Sequence, residues 1–150
     1  MKLEIERRIE APPSLVFDVA SDFRRATENL SAVESLELLT EGPIGVGTRF
    51  RETRIMFGKE ATEEMEITAF DPPRSYTVEC RSHGTHYVSQ FRVEPDGTGT
   101  RYRLIFDARP QSLVAKLMTP LAVLMRGTLE KALRVDFEDV ARVSEARAAV

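Results

Sequence analysis

At 150 residues the chain has the length of one ordinary domain, spanning 1–150, and is long enough to bury a sizeable core. Its 42% apolar and 30% charged residues exclude a disordered chain, and a net charge of −3 without a basic stripe gives no electrostatic reason to expect nucleic acid. One cysteine, Cys80, makes no internal disulfide, and Met1–Glu6 carries charge at alternate positions rather than an apolar signal; a cytoplasmic home is expected, without stable membrane insertion, because no window approaches the ~18 apolar residues that cross a bilayer.

Alternation of Leu3, Ile5, Arg7 and Ile9 with charged neighbours predicts a half-buried first strand with one odd inward arginine, its stem snorkelling. Pro12-Pro13 ends that strand, and a short helix opens there because proline suits the first helical turn. A second short helix covers residues 23–30. Strands are then expected over 34–40, 48–57, 60–70, 75–82, 85–94 and 100–108. Their punctuation is turn chemistry: Gly42-Pro43 with Gly45 and Gly47, Gly58-Lys59, Asp71-Pro72-Pro73-Arg74, His83-Gly84 and Pro95-Asp96-Gly97. Links this short make the sheet antiparallel, and its twist curls it around whatever covers it.

From Ser112 to Val150 the pattern becomes helical. Leu113, Leu117, Leu121, Met125, Leu129, Leu133, Phe137 and Val140 recur every three or four residues and share one face. Pro120 predicts an irregular first turn or two with a regular helix after it. So long a helix needs a long apolar partner, and only the sheet can supply one.

The strings Ile9-Glu10-Ala11-Pro12-Pro13-Ser14-Leu15-Val16-Phe17, Gly42-Pro43-Ile44-Gly45-Val46-Gly47-Thr48-Arg49-Phe50, Phe70-Asp71-Pro72-Pro73-Arg74 and Gly97-Thr98-Gly99-Thr100 stand in that order before the closing helix. In this the chain resembles the START-like superfamily (Bet v 1-like, SRPBCC), which includes bacterial polyketide cyclase/dehydrase-like proteins. The resemblance implies an α+β helix-grip fold: a seven-stranded antiparallel curved sheet wrapped around a long C-terminal helix, two short helices after the first strand, and a hydrophobic cavity between sheet and helix. Fold alone does not select a function within such a superfamily.

Alternation offers a candidate lining for that cavity: Phe50, Met65, Tyr76, Val78, Tyr87, Ser89, Phe91, Tyr102 and Leu104 from the strands, with Leu117, Leu121, Met125 and Leu129 from the helix. Apolar residues at such spacing are ordinarily plain core. Glu52 and Arg54 share a strand face with Phe50 and Met56, so they are polar cavity groups if that face points in. The commoner arrangement turns Thr53, Ile55 and Phe57 inward and leaves the two charges in solvent, since a buried charge is costly unless paired.

His83 beside Gly84 reads as a loop histidine, and His86, out of phase with Tyr87, Ser89 and Phe91, reads as outward. Cys80 reads as an inert core thiol. No metal site, cofactor fingerprint, phosphate loop or nucleophile elbow stands out, and no catalytic residue is assigned. The leading expectation is therefore binding of a small hydrophobic molecule such as a lipid, quinone, polyketide or isoprenoid, by a monomer or homodimer. A polyketide aromatase/cyclase or dehydratase would draw on Glu52, Arg54, Tyr76, Tyr87 or Ser89. The resemblance also admits an interaction module of the coenzyme Q-binding or toxin type.

Overall fold

The computed structural model describes residues 1–150. Strand β1 (Lys2–Ile9) is followed by helix α1 (Pro13–Ala20), a 3-10 turn (Phe23–Arg25) and helix α2 (Ala26–Asn29). Strands β2 (Val33–Leu38), β3 (Arg49–Met56), β4 (Lys59–Asp71), β5 (Ser75–Ser82), β6 (Thr85–Asp96) and β7 (Gly99–Pro110) come next. The seven strands form one antiparallel sheet in the order β1-β7-β6-β5-β4-β3-β2. From β2 onward each strand pairs with the next, through tight turns except for the 39–48 loop between β2 and β3, and β1 closes the far edge against β7, with Leu3 opposite Phe106 and Ile9 opposite Thr100. This is the expected α+β helix-grip arrangement.

The closing segment differs from one continuous helix. It is divided into α3 (Leu113–Leu117), α4 (Thr119–Leu124) and α5 (Arg126–Ala148), with breaks at Met118 and Met125, where ψ falls to −1° and 2°. Pro120 lies in the first turn of α4, where its missing N–H costs nothing, so it starts a helix rather than kinking one. Only α5 packs along the inner side of the sheet. Its Phe137, Val140 and Ala141 join Leu3, Ile5 and Ile9 of β1 and Val16 and Phe17 of α1 in the core, and Phe137 stacks on Tyr102 at 4.2 Å. Arg7 shares the inward side of β1, but its guanidinium reaches out to Glu138 of α5 at 2.9 Å.

Candidate functional site on the concave face

Phe50 fixes the phase of β3. It is 1% exposed, packs tilted against Phe23 with ring centroids 4.9 Å apart, and pairs with Leu38 on one side and Met65 on the other. Strand side chains alternate, so Glu52 and Arg54 must follow Phe50 onto the concave face. Ile55 and Phe57 instead stand 42% and 51% exposed. This corrects the expectation that Thr53, Ile55 and Phe57 point inward: Thr53 bonds Thr62 on the exposed side at 2.8 Å, and the apolar pair runs past the end of the core.

The buried charges are tolerated because they are paired. Arg54 Nε donates to Glu52 Oε1 at 2.8 Å, and its Nη2 lies 3.0 Å from Asp136 Oδ2 on α5. Burial works against the charged guanidinium, yet Asp136 and Glu52 outweigh it and raise the Arg54 pKa. Burial also raises the Asp136 carboxyl against the pull of Arg54, and Asp136 Oδ1, shielded from solvent, has no hydrogen-bond partner.

Glu63 stands opposite Glu52 on β4, so its side chain joins the same row. The Ser82 hydroxyl donates to Glu63 Oε1 at 2.8 Å, and Cys80 Sγ is 4.0 Å from Oε2. Burial, then Glu63 and Glu52, push the Cys80 thiol up to about 11, so it is neutral and inert at ordinary pH. Tyr87, paired with Cys80 across β5 and β6, is likewise raised by burial.

Read across the sheet, the concave face is therefore banded. Glu52, Glu63 and Ser82 form a polar row toward the end where the β3–β4 and β5–β6 turns lie. Phe50, Met65, Cys80 and Tyr87 form the next row inward. Beyond them Ile67, Val78 and Phe106 are closed core. Three carboxylates, Glu52, Glu63 and Asp136, share this region with one guanidinium.

The candidate lining divides into three groups. Phe50, Tyr76, Val78, Tyr102 and Leu104 are buried in the core. The Tyr76 hydroxyl donates to the Ala20 carbonyl at 3.1 Å, and burial raises the pKa values of both Tyr76 and Tyr102. Met65, Tyr87, Ser89, Phe91 and Leu129 are half-buried, and the four larger ones pack at the edge of the core. Leu117, Leu121 and Met125 are 71%, 46% and 40% exposed, because α3 and α4 leave the sheet rather than cover it. These three do not form a wall against the strands.

Two site residues escaped the sequence reading. Glu63 alternates in phase with Met65 and Ile67, a signal that was available. Asp136 lies three residues after Leu133 and four before Val140, hence on the apolar helix face, but only its contact with Arg54 gives it meaning.

The convex face holds a depression of about 350 Å³ lined by charged and polar residues that include Arg49, Glu66, Glu79, Arg81 and His86, with Met65 and Cys80 also at its wall. His86 Nε2 lies 2.6 Å from Glu79 Oε1, and a hydrogen bond from Thr68, then the His86 contact, hold the Glu79 carboxyl low against burial. His86 points outward as expected, and His83 sits exposed in the β5–β6 turn. No three His, Cys, Asp or Glu side chains converge as metal ligands, and no helix is long and apolar enough to cross a membrane.

The family model described as polyketide cyclase / dehydrase and lipid transport matches residues 1–145. Among solved structures, the Thermus thermophilus protein TTHA0849 is 26% identical, with a TM-score of 0.71 and coverage of 96% of this chain and 99% of that one. The di-domain ARO/CYC protein BexL, from the BE-7585A biosynthetic pathway, is 17% identical, with a TM-score of 0.79; 97% of this chain is covered but only 50% of BexL. A truncated norcoclaurine synthase from Thalictrum flavum is 15% identical, with a TM-score of 0.71 and coverage of 95% and 92%. The last two likenesses concern the fold alone. No curated protein sequence matches this chain.

Proposed function

Because the chain belongs to the polyketide cyclase / dehydrase and lipid transport family, we propose that its concave face binds a small hydrophobic molecule with a polar end. The apolar part lies along Met65, Tyr87, Phe91 and Leu129, and the polar end meets the row of Glu52, Glu63 and Ser82 with Arg54. The observation that carries this reading is the banding itself: half-buried apolar and aromatic side chains beside a paired but incompletely satisfied set of charges, the composition of a ligand pocket. Arg54 and Asp136 tie the sheet to α5 at this point, so the polar groups are positioned before any ligand arrives.

The test is displacement of a fluorescent apolar probe, with native mass spectrometry of the purified chain to reveal a retained molecule. Met65→Arg and Tyr87→Arg are expected to weaken probe binding at least ~10-fold, since each places a charge against the apolar row. Unchanged affinity in both variants, with the fold intact by circular dichroism, overturns the reading.

A cyclase or dehydratase is the second reading, and one observation favours it. Burial raises the Asp136 carboxyl against the pull of Arg54, and its Oδ1 has no partner beside the polar row, the type of group a proton-transfer step draws on. On this reading Asp136→Asn lowers turnover of an aromatic polyketide-type substrate by a larger factor than it lowers affinity for an apolar probe. Equal turnover by Asp136→Asn and wild type removes Asp136 from the chemistry.

A further inference from the structure

We infer that the arm formed by α3 and α4 docks the protein onto an anionic lipid bilayer. Every residue from Gln111 to Thr128 is exposed except Ala115 and Thr119, which are intermediate. Leu113, Leu117 and Leu124 are each more than 70% exposed, and Val114 and Val123 are open on other sides of the arm. A surface helix of a soluble protein keeps its apolar side against a neighbour; this arm leaves its apolar side chains without cover and calls for an apolar surface outside the chain. The acyl boundary of a bilayer provides such a surface.

Charge selects the kind of surface. From Gln111 to Leu129 there is no acidic residue, and Lys116 and Arg126 stand exposed with no ion pair. The exposed stretch 111–128 carries a net charge of +2, from Lys116 and Arg126, while the whole chain is −3, so the rest of the molecule bears −5. A positive, apolar arm on a negative body presents its arm to anionic headgroups and its body to water.

The fold aims the arm. The β3–β4 turn, the β5–β6 turn and the end of β7 all emerge at one end of the sheet. The N–H groups of Gln111 and Ser112 bond to the Gly84 carbonyl at 2.8 and 3.1 Å, which fixes the root of α3 to the β5–β6 turn. At the same end Phe57 and Ile55 stand exposed on the β3–β4 hairpin beside Lys59. One end of the molecule therefore carries two apolar projections, the arm with Lys116 and Arg126 and the hairpin tip with Lys59 and Glu60. Neither α3 nor α4 is long enough to span a bilayer, so the arm lies in the interface. The inference needs only the arm and stands whether or not the concave face holds a ligand.

The test is co-sedimentation of the full chain with phosphatidylcholine vesicles, with and without phosphatidylserine. The chain is expected to sediment with the anionic vesicles, to remain largely free of the neutral ones, and to be released by salt. Leu117→Asp and Leu124→Asp should each lower vesicle affinity at least ~10-fold without moving Tm, because both side chains are exposed. The chain has no tryptophan, so Leu121→Trp gives a single reporter whose emission should shift to the blue on anionic vesicles. Failure of the wild-type chain to bind either vesicle overturns the inference, as does equal binding by Leu117→Asp and Leu124→Asp. A dimer that Leu117→Asp dissociates, with no vesicle binding, also overturns it and assigns the arm to a second copy.

Discussion

Arg54 on β3 and Asp136 on α5 meet at 3.0 Å across the concave face, and with Glu52 at 2.8 Å from Arg54 they join sheet and helix through charge rather than carbon. Such a contact is sensitive to removal of one partner and tolerant of removal of all three.

Arg54→Met is therefore expected to destabilise the fold by about 3–5 kcal/mol, because it strands two carboxylates in a largely buried position. Replacing Glu52, Arg54 and Asp136 together by Leu, Met and Leu should recover most of that loss. Urea unfolding of the single and triple variants checks this; a triple variant as unstable as Arg54→Met contradicts the account.

The raised Cys80 thiol makes a kinetic prediction. With its pKa pushed up to about 11 by burial and by Glu63 and Glu52, alkylation at mildly alkaline pH should run on the order of 10- to 100-fold slower than for a free thiol of pKa near 8.5. Glu63→Gln removes the nearer carboxylate and should speed the reaction. Rates following iodoacetamide by mass spectrometry decide it.

Asp139 supplies a pH dependence. Burial acts to raise its carboxyl, but the Ser31 backbone N–H at 2.9 Å, the Ser31 hydroxyl at 2.7 Å and Arg142 outweigh burial and hold it below its ordinary 3.8. A carboxyl with a lowered folded pKa stabilises fully above its unfolded value, and that contribution is lost as pH falls through the folded one. Asp139→Asn should thus cost about 1–3 kcal/mol at neutral pH, with the gap to wild type narrowing as pH drops below 3.8. A gap independent of pH would show that the carboxylate charge is not what matters.

Gly84 roots the arm. At φ +76° it occupies the left-handed region, and a Cβ there would collide with Ser112 Oγ. Gly84→Ala is expected to lower stability by about 1–3 kcal/mol and to accelerate amide exchange at Gln111 and Ser112 ahead of the rest of the chain. Uniform exchange across β7 and α3 would mean the turn and the arm are not coupled there.

Much of the fold was legible because its punctuation is local. Gly58, Gly84 and Gly97 all adopt positive φ at the turns where the sequence places breaks, and Pro120 opens α4. The side of β3 was harder. Apolar residues lie on both its faces, Phe50 on one and Ile55 with Phe57 on the other, so alternation offers two solutions. The choice falls to Phe50 because it lies over the core beside Phe23, while Ile55 and Phe57 approach the turn beyond it. Glu52 and Arg54 acquire their site only through Asp136, far along the chain.

The closing helix marks the same division. Periodicity established that residues 113–140 carry a shared apolar stripe, and it established that α5 must lie on the sheet, which Phe137 and Val140 do. It could not say how much of the stripe the sheet would accept. At ~1.5 Å per residue, the 23 residues of α5 span ~35 Å, while seven strands at ~4.8 Å are about as wide. Burial requires area on both partners, and α5 already lies along the inner side of the sheet, so Leu113, Leu117, Leu121 and Met125 are left outside. Local spacing determined that these residues are apolar and helical; only tertiary packing decided that they face away from the protein.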